Sequence, residues 1–429
     1  MTDTALVWAA GMFRHVTIAD CMTSRAASLL GLTALVVLAA CRPSQPPAPK
    51  ATENWSGFGD LENVLNWTRE QQLRGYRNMD RIHPTRPVPA SSHPFPLPEQ
   101  PADFSGLRYT VDADTFDVNA FVSHNHIVGL LAIRDGNVVL ERYAQGNARD
   151  TRWYSFSVAK SVVSMLVGAA VKDGFIPSID VPTSNVLPVL RGSAYDQVTL
   201  RQAMTMSSGV AWDEDYADPQ SDIAQTGGSA LDRLRYLLRK PRVAPPGSTF
   251  NYNTEETNLV GAVLRAAIGN NLATYLDDKI WRRFGMEHDA NWLLLSESGA
   301  EHGGCCLSAT LRDYGRLGLF AMHNGRLTDG SSVLPEGWME VSTTASATND
   351  GYGLLWWLRP DHAFAAVGIY GQAIYINPPC RLVVVTHSAW PRATDRELSA
   401  HREAFFGEMA RWAAAQDGGS CPARAEDAP

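Results

Sequence analysis

Lysine is scarce in this chain of 429 residues: Lys50, Lys160, Lys172, Lys240 and Lys279 are the whole complement. Acidic residues outnumber basic ones by 45 to 37, for a formal net charge of −8. No basic footprint is left to meet a phosphate backbone, so nucleic acid is excluded as a partner. Six cysteines are present, but none stands in the Cys/His spacing of a zinc site, and no metal is expected. The Gly-x-Ser-x-Gly turn that exposes the nucleophile of an α/β-hydrolase is absent, which argues against that fold. No internal repeat divides the chain.

What is present is an ordinary globular balance, 45% apolar and 19% charged residues over a length that buries a large core. The first forty or so residues differ in kind. Arg25 precedes an apolar run from Ala26 to Ala40 that ends in small residues, as a secretory signal does, and is too short for a comfortable membrane span. Leu38-Ala39-Ala40-Cys41 resembles a bacterial lipobox, in which cleavage frees the cysteine and a lipid is attached to it. Residues 1–41 are therefore read as a signal peptide, with Met22 an alternative start because residues 1–21 carry Asp3 and Asp20. The expected location is the bacterial cell envelope, anchored to the membrane through lipidated Cys41 and facing the periplasm. Arg42, where inner-membrane retention favours aspartate, points to the outer membrane. Arg42 to Pro49 is a proline-rich spacer that forms neither ladders nor helices. In an oxidising compartment Cys305, Cys306, Cys380 and Cys421 are able to bridge; a Cys380–Cys421 bridge and a vicinal Cys305–Cys306 bridge are both open options.

Residues 42–110 form the spacer and a polar lead-in with one helix expected from Leu61 to Arg74 and no catalytic signature. Two β-rich runs, Ile127 to Arg134 and Val138 to Tyr143, flank Asp135-Gly136-Asn137 and read as a hairpin. A helical pattern follows over Ser161 to Ala170. Residues from about 173 to 295 read as an inserted, mostly helical region, with helices at Leu200 to Met206, Ala230 to Arg239, Glu256 to Ala267 and Leu272 to Phe284. Ser308 to Met322 is amphipathic. Strands return at Tyr352 to Leu358, Ala363 to Ile369, Ala373 to Ile376 and Leu382 to His387, and a closing helix runs from Arg396 to Trp412. The late connections are too short for parallel crossovers. The expectation is an α/β fold of α+β type: an antiparallel sheet completed by both ends of a domain over 111–415, flanked by helices, with a disordered tail at 416–429.

Chemistry concentrates at Ser157-Val158-Ala159-Lys160. One helical turn puts i and i+3 on the same face, so the Lys160 amine can take the Ser157 proton and make that hydroxyl a nucleophile. A single such tetrapeptide arises easily by chance, and a serine at a helix start can be no more than a cap. A second stretch, Pro245 to Thr254, makes a tight Pro-Gly turn that delivers Tyr252 just before a helix. A phenol near Lys160 can pass a proton to a leaving group. Packing is the plainer role for such a tyrosine.

Four ordered stretches carry a resemblance: Ser157 to Lys160, Thr199 to Gly209, Pro246-Gly247-x-x-Phe250-x-Tyr252, and Gly303 to Asp313. Over roughly residues 120–412 their order and spacing resemble the β-lactamase-related serine hydrolases. These include class C β-lactamases, D-alanyl-D-alanine carboxypeptidases, esterases and 6-aminohexanoate-dimer hydrolases, and the dialect is closest to the last. The resemblance implies a β-lactamase/transpeptidase-like fold and Ser157, Lys160 and Tyr252 as catalytic residues. It also implies an oxyanion hole between the backbone amides of Ser157 and Gln372, and no metal or organic cofactor. Two positions depart from the family pattern. Thr254 stands where a Tyr-x-Asn motif has its asparagine, and the third motif falls on Ile369-Tyr370-Gly371, without the usual lysine or histidine. Losing a charge-assisted contact to a substrate carboxylate costs about 1.5–3 kcal/mol, which argues against efficient penicillin hydrolysis and fits neutral substrates. Thr254, Tyr370 and Gly371 are candidate substrate contacts. Tyr216 joins them, because Trp212 to Tyr216 resembles the acidic and aromatic loop that borders the pocket of the dimer hydrolases.

The expected function is a lipid-anchored serine hydrolase that cleaves a small-molecule ester or amide through a Ser157 acyl-enzyme. The rivals are a β-lactamase or D-alanyl-D-alanine carboxypeptidase, and a catalytically silent binding or sensor protein, which Thr254 and Ile369 keep open.

Overall fold

A strand that is apolar on both faces, as Ile127 to Ile133 is, must be covered on both sides. The computed structural model, which describes residues 54–59, 61–419 and 421, shows how this is done. The leader, Cys41, the proline-rich spacer and most of the expected tail lie outside the described residues. The strands are β1 (Thr85–Val88), β2 (Tyr109–Val111), β3 (Asp114–Phe116), β4 (Ile127–Arg134), β5 (Asn137–Tyr143), β6 (Arg152–Tyr154), β7 (Ala290–Leu293), β8 (Leu307–Thr310), β9 (Trp357–Leu358), β10 (Phe364–Gly368), β11 (Gln372–Asn377) and β12 (Leu382–Ser388). Six make an antiparallel main sheet in the order β5-β4-β12-β11-β10-β9, so early and late parts of the chain complete one sheet. A four-stranded sheet, β1-β7-β8-β6, and the β2-β3 hairpin stand apart from it.

The period of two along each strand sorts the side chains into two cores. Leu131, Ile133, Ile374 and Val383 join the cluster that contains the helices Val158–Lys172 and Leu311–Met322. Leu130, Ala132, Ala373 and Val384 face the other way, toward Phe405, Phe406 and Met409 of the closing helix Arg396–Gln416. Burying each larger side chain of this kind stabilises the fold by about 1.5–3 kcal/mol. The helix Val158–Lys172 is buried at every position from Val158 to Ala170 and packs on β10, β11 and the helix Thr254–Ile268. Two helix starts, one behind Ser157 and one at Thr254, are thereby brought together. A third cluster sets Phe58, Val64, Trp67 and Tyr76 of the lead-in against Trp153, Tyr154, Phe156 and Tyr370, next to Ser157.

Departures from the sequence pattern trace to particular residues. The helix expected from Leu61 to Arg74 divides into a 3-10 stretch, Leu61–Asn66, and a helix, Arg69–Gly75. Trp67 turns inward onto Tyr76, and Thr68 with Gln71 forms a capping box that starts the second piece. Ser308 to Met322 begins as a strand, β8, after which Thr310 caps the helix Leu311–Met322. The helix expected to reach Met206 stops at Met204, and Met206 takes a left-handed φ of 55°. Only β9 forms of the strand expected at Tyr352 to Leu358, because the chain turns at Leu355, φ 64°. The inserted helical region ends in a strand, β7. Order extends past residue 416, where the tail was expected to begin: Asp417 pairs with Arg134 and Arg381, and Cys421 is bridged to Cys380. Cys305 and Cys306 form the other bridge. No helix of the described residues is long and apolar enough to cross a membrane.

Candidate active site

Phe156 enters the site in a left-handed conformation, φ 47°, held by the rings of Tyr76, Tyr154 and Tyr370. For a bulky residue such a backbone costs on the order of 1–3 kcal/mol, and the turn it makes sets Ser157 at the head of the helix Val158–Lys172. Ser157 makes no side-chain cap there. Its hydroxyl lies instead 2.9 Å from Lys160 Nζ. The Ser157 amide, one of the unpaired donors at a helix start, has no protein acceptor among the described residues.

Lys160 is 1% exposed. Besides Ser157 Oγ, its Nζ meets Thr254 Oγ1 at 3.0 Å and the Gly304 carbonyl at 2.7 Å. Burial lowers the amine from its ordinary value to about 8, while the carboxylates of Glu214 and Glu255 pull it part of the way back. Glu214 settles where the protons lie. It accepts the Thr254 amide at 3.0 Å, the Tyr216 hydroxyl at 2.6 Å, and also Trp212 Nε1 and the Thr254 hydroxyl. A carboxylate only accepts, so the Thr254 hydroxyl gives its hydrogen to Glu214 and turns a lone pair to Lys160. The Gly304 carbonyl also only accepts. A neutral Lys160 therefore directs both hydrogens at Thr254 and Gly304, and its lone pair is left facing the Ser157 hydroxyl.

Tyr252 is enclosed between Trp357 and Tyr352, with ring centroids at 5.7 and 6.2 Å. Burial and then the charge of Glu214 raise its phenol above the ordinary value; a hydrogen bond with Ser157 draws it partly back. Tyr252 thus stays a neutral proton donor beside the nucleophile, and Lys160 Nζ stands 5.2 Å from the centre of its ring.

Ser157, Tyr216 and Thr254 line a cavity of about 80 Å³. Val64, Leu65, Ile223 and Ile369 give it apolar walls, and Arg233 brings a cation. That cation is offset by Glu255 at 2.8 Å, with both side chains buried, and Arg233 also borders a larger cavity of about 660 Å³. Tyr370 and Gly371 do not line the smaller cavity. The Tyr370 hydroxyl donates to the Leu65 carbonyl at 2.9 Å and its ring lies against Tyr76 and Phe156. Gly371, at φ 87°, is glycine because the Trp390 ring occupies the place a Cβ would take. Gln372 opens β11 with its side chain fully engaged. Its Nε2 donates to the Tyr370 and Ser388 carbonyls at 3.0 and 2.7 Å, and its Oε1 accepts Trp153 Nε1 at 3.1 Å and the Ser388 amide at 3.0 Å. The Gln372 side chain is thereby withheld from the smaller cavity, which Gln372 does not line.

Sequence reasoning passed over Glu214, Gly304, Val64 and Leu65. Glu214 belongs to the Trp212 to Tyr216 loop, and its four donors come within reach only in the fold. Gly304 belongs to the Gly303 to Asp313 stretch; a side chain there would strike the Thr254 carbonyl. The two lead-in residues carry no chemical signature. Among the described residues the one group able to share a metal, His124 with Glu397 and His401, includes none of the residues above.

A family model described as Beta-lactamase matches residues 118–407. Among curated proteins, the 6-aminohexanoate-dimer hydrolase of Paenarthrobacter ureafaciens is 26% identical over 286 residues, which are 61% of this chain and 72% of that protein. A solved structure described as a candidate 6-aminohexanoate-dimer hydrolase from Bacillus anthracis superposes with a TM-score of 0.70 at 20% identity, over 82% of this chain and 96% of that one. A penicillin binding protein from Bacillus halodurans superposes with a TM-score of 0.55 at 17% identity, over 67% of this chain and 99% of that one. At these identities the superpositions speak for the fold.

Proposed function

The chain belongs to the Beta-lactamase family, and from that premise we propose that it is a serine hydrolase cleaving a neutral ester or amide through an acyl-enzyme on Ser157. One observation carries the reading: Lys160 Nζ stands 2.9 Å from Ser157 Oγ, with its other partners arranged so that the lone pair faces the serine. At pH 7 roughly one-tenth of an amine held at about 8 is neutral. That fraction takes the Ser157 proton as Oγ bonds to the substrate carbonyl carbon and the carbonyl electron pair moves onto oxygen. The oxyanion settles between the Ser157 and Gln372 amides, where one such donor is worth about 2.7–4 kcal/mol. As the intermediate collapses, the bond to the leaving oxygen or nitrogen breaks. Tyr252 gives that atom its proton and recovers one from the Lys160 ammonium. Water then repeats the sequence on the acyl-serine.

Two features support a neutral, short acyl group. Ile369 stands at the cation position of the third motif, and Arg233 is already offset by Glu255. The cavity is small, about 80 Å³, so a longer leaving group extends outward. The relatives named for 6-aminohexanoate dimers make short linear amides a substrate to try beside esters.

The test is a fluorophosphonate probe followed by mass mapping, with turnover of p-nitrophenyl esters. The expected result is an adduct on Ser157, acetate and butyrate cleaved faster than octanoate, and loss of both signals in Ser157→Ala. Absence of both adduct and turnover would leave a binding protein on an enzyme scaffold. A long-lived penicillin adduct on Ser157 would instead point to a penicillin-binding role. Leu38 to Cys41 supports a lipid anchor on Cys41 and a place in the cell envelope. On fractionation, Cys41→Ala should shift the protein from membranes to the soluble fraction.

A further inference from the structure

Away from Ser157, the last residue of the helix Val118–His124 meets two residues of the closing helix Arg396–Gln416. A ring nitrogen of His124, a carboxylate oxygen of Glu397 and a ring nitrogen of His401 all lie within 4.8 Å of one another. We propose that these three residues bind a divalent transition metal of the imidazole-preferring kind, Zn²⁺ foremost, and that the ion clips the two helices together.

The donors have the right chemistry, since imidazole and carboxylate together suit zinc, with a fourth position left for water. Glu397 and His401 are i and i+4 on one helix, so both project from the same face. His124 Nε2 is shielded from solvent, makes no hydrogen bond among the described residues, and stands 3.3 Å from Glu397 Oε1. Tetrahedral ligands at about 2.0–2.1 Å from zinc stand roughly 3.4 Å apart, so this pair already has the spacing that a shared ion sets. The widest separation, 4.8 Å, needs closing by about 1.4 Å; because His124 and Glu397 already stand 3.3 Å apart, that adjustment falls on His401 against this pair. His401 is oriented from behind. Its Nδ1 lies 3.1 Å from the Tyr109 hydroxyl, and a hydrogen bond there leaves Nε2 as the nitrogen that ligates. The Phe116 ring, 4.6 Å from that of His401, walls one side with apolar surface. The helices are pre-positioned without any ion, because Asn125 Nδ2 donates to the Leu398 carbonyl at 2.7 Å.

The experiment uses the full chain without a histidine tag, stripped with EDTA, then titrated with Zn²⁺ by calorimetry and with Co²⁺ by visible absorption. The expected result is one ion per chain in the micromolar range, the absorption bands of four-coordinate Co²⁺, and a Tm raised by Zn²⁺. Glu397→Ala, at an exposed position, and His124→Ala should each weaken binding by at least about tenfold, and Tyr109→Phe, which only frees the His401 ring, by about tenfold or less. Either of two results overturns the proposal: no saturable binding below about 1 mM, or Zn²⁺ held by both ligand variants as tightly as by the parent.

Discussion

The two sides of the reaction cavity are built in opposite ways. On the lysine side polar groups are tied to polar groups: Lys160 to Ser157, Thr254 and Gly304, and Thr254 in turn to Glu214. On the far side, Ile369 to Gln372, the side chains are drawn off elsewhere, Tyr370 to Leu65 and Gln372 to Ser388, so that of these four residues Ile369 alone lines the cavity. In the proposed mechanism one wall moves protons and the other supplies shape and amide dipoles. The difference teaches that the missing family residues were not lost alike. Thr254 still serves Lys160 where an asparagine is usual, whereas nothing at Ile369 takes over from a cation.

The sharpest way to break this contrast is to remove the amine. Lys160→Met should lower kcat/KM for p-nitrophenyl butyrate by about 10³–10⁴-fold, the scale of a lost base acting together with its nucleophile. Tyr370→Phe, on the other wall, should change the same constant by less than about twofold, since its hydroxyl reaches only the Leu65 carbonyl. Equal losses in the two variants would show that the walls do not divide the work.

A smaller effect tests the substitution of threonine for asparagine. Thr254→Val keeps the shape but takes an acceptor from Lys160 and a donor from Glu214, so kcat/KM should fall by about 10- to 100-fold. Thr254→Asn, which restores the usual residue of the motif, should recover part of that loss. Steady-state kinetics on one ester measures both.

What could be read from the chain alone follows the range over which each feature is encoded. Ser157 and Lys160 are one turn apart, so their meeting is a property of any helix. The β4–β5 hairpin is announced by Asp135-Gly136-Asn137 between two apolar runs, and the strands fall where the pattern put them. Glu214 is another matter: it reaches Thr254 across 40 residues, and only the fold reveals that the Trp212 to Tyr216 loop returns to the second helix start. Tyr370 stands off the cavity, against expectation, because alternation fails in the tight turn at Tyr370, φ 58°, and Gly371, which sends the ring into the lead-in cluster. Val64 and Leu65 lie in a segment without chemical signature, and His124 and His401 stand on opposite sides of the main sheet's sequence, where no local spacing joins them.

The pH profile sharpens the lysine side further. In the proposed mechanism the working form of Lys160 is the neutral one, and its amine is lowered to about 8, so kcat/KM should fall about tenfold per unit as pH drops below 8 and level off above it. Glu256 confuses a naive measurement, because burial pushes its carboxyl up to about 8 as well, with bonds from Ser208 and Tyr195 drawing it back. Glu256→Gln removes that group. If the lysine governs, the variant keeps the same rise; a profile flattened by the variant would assign the titration to Glu256.

The smallest expected effect concerns the apolar wall, where a gain is the informative result. Ile369→Lys returns a cation to the third motif beside the cavity that Ser157 lines. A charge-assisted contact to the carboxylate of a penicillin is worth about 1.5–3 kcal/mol when fully formed. Competition from solvent and from Glu255 through Arg233 reduces it, so acylation of Ser157 by a fluorescent penicillin should rise by about tenfold at most. Turnover of a neutral ester should stay within about twofold, because the amides proposed to hold the oxyanion are untouched. If neither reaction changes, the carboxylate of a penicillin never reaches this wall, and shape rather than the lost cation is what turns such substrates away.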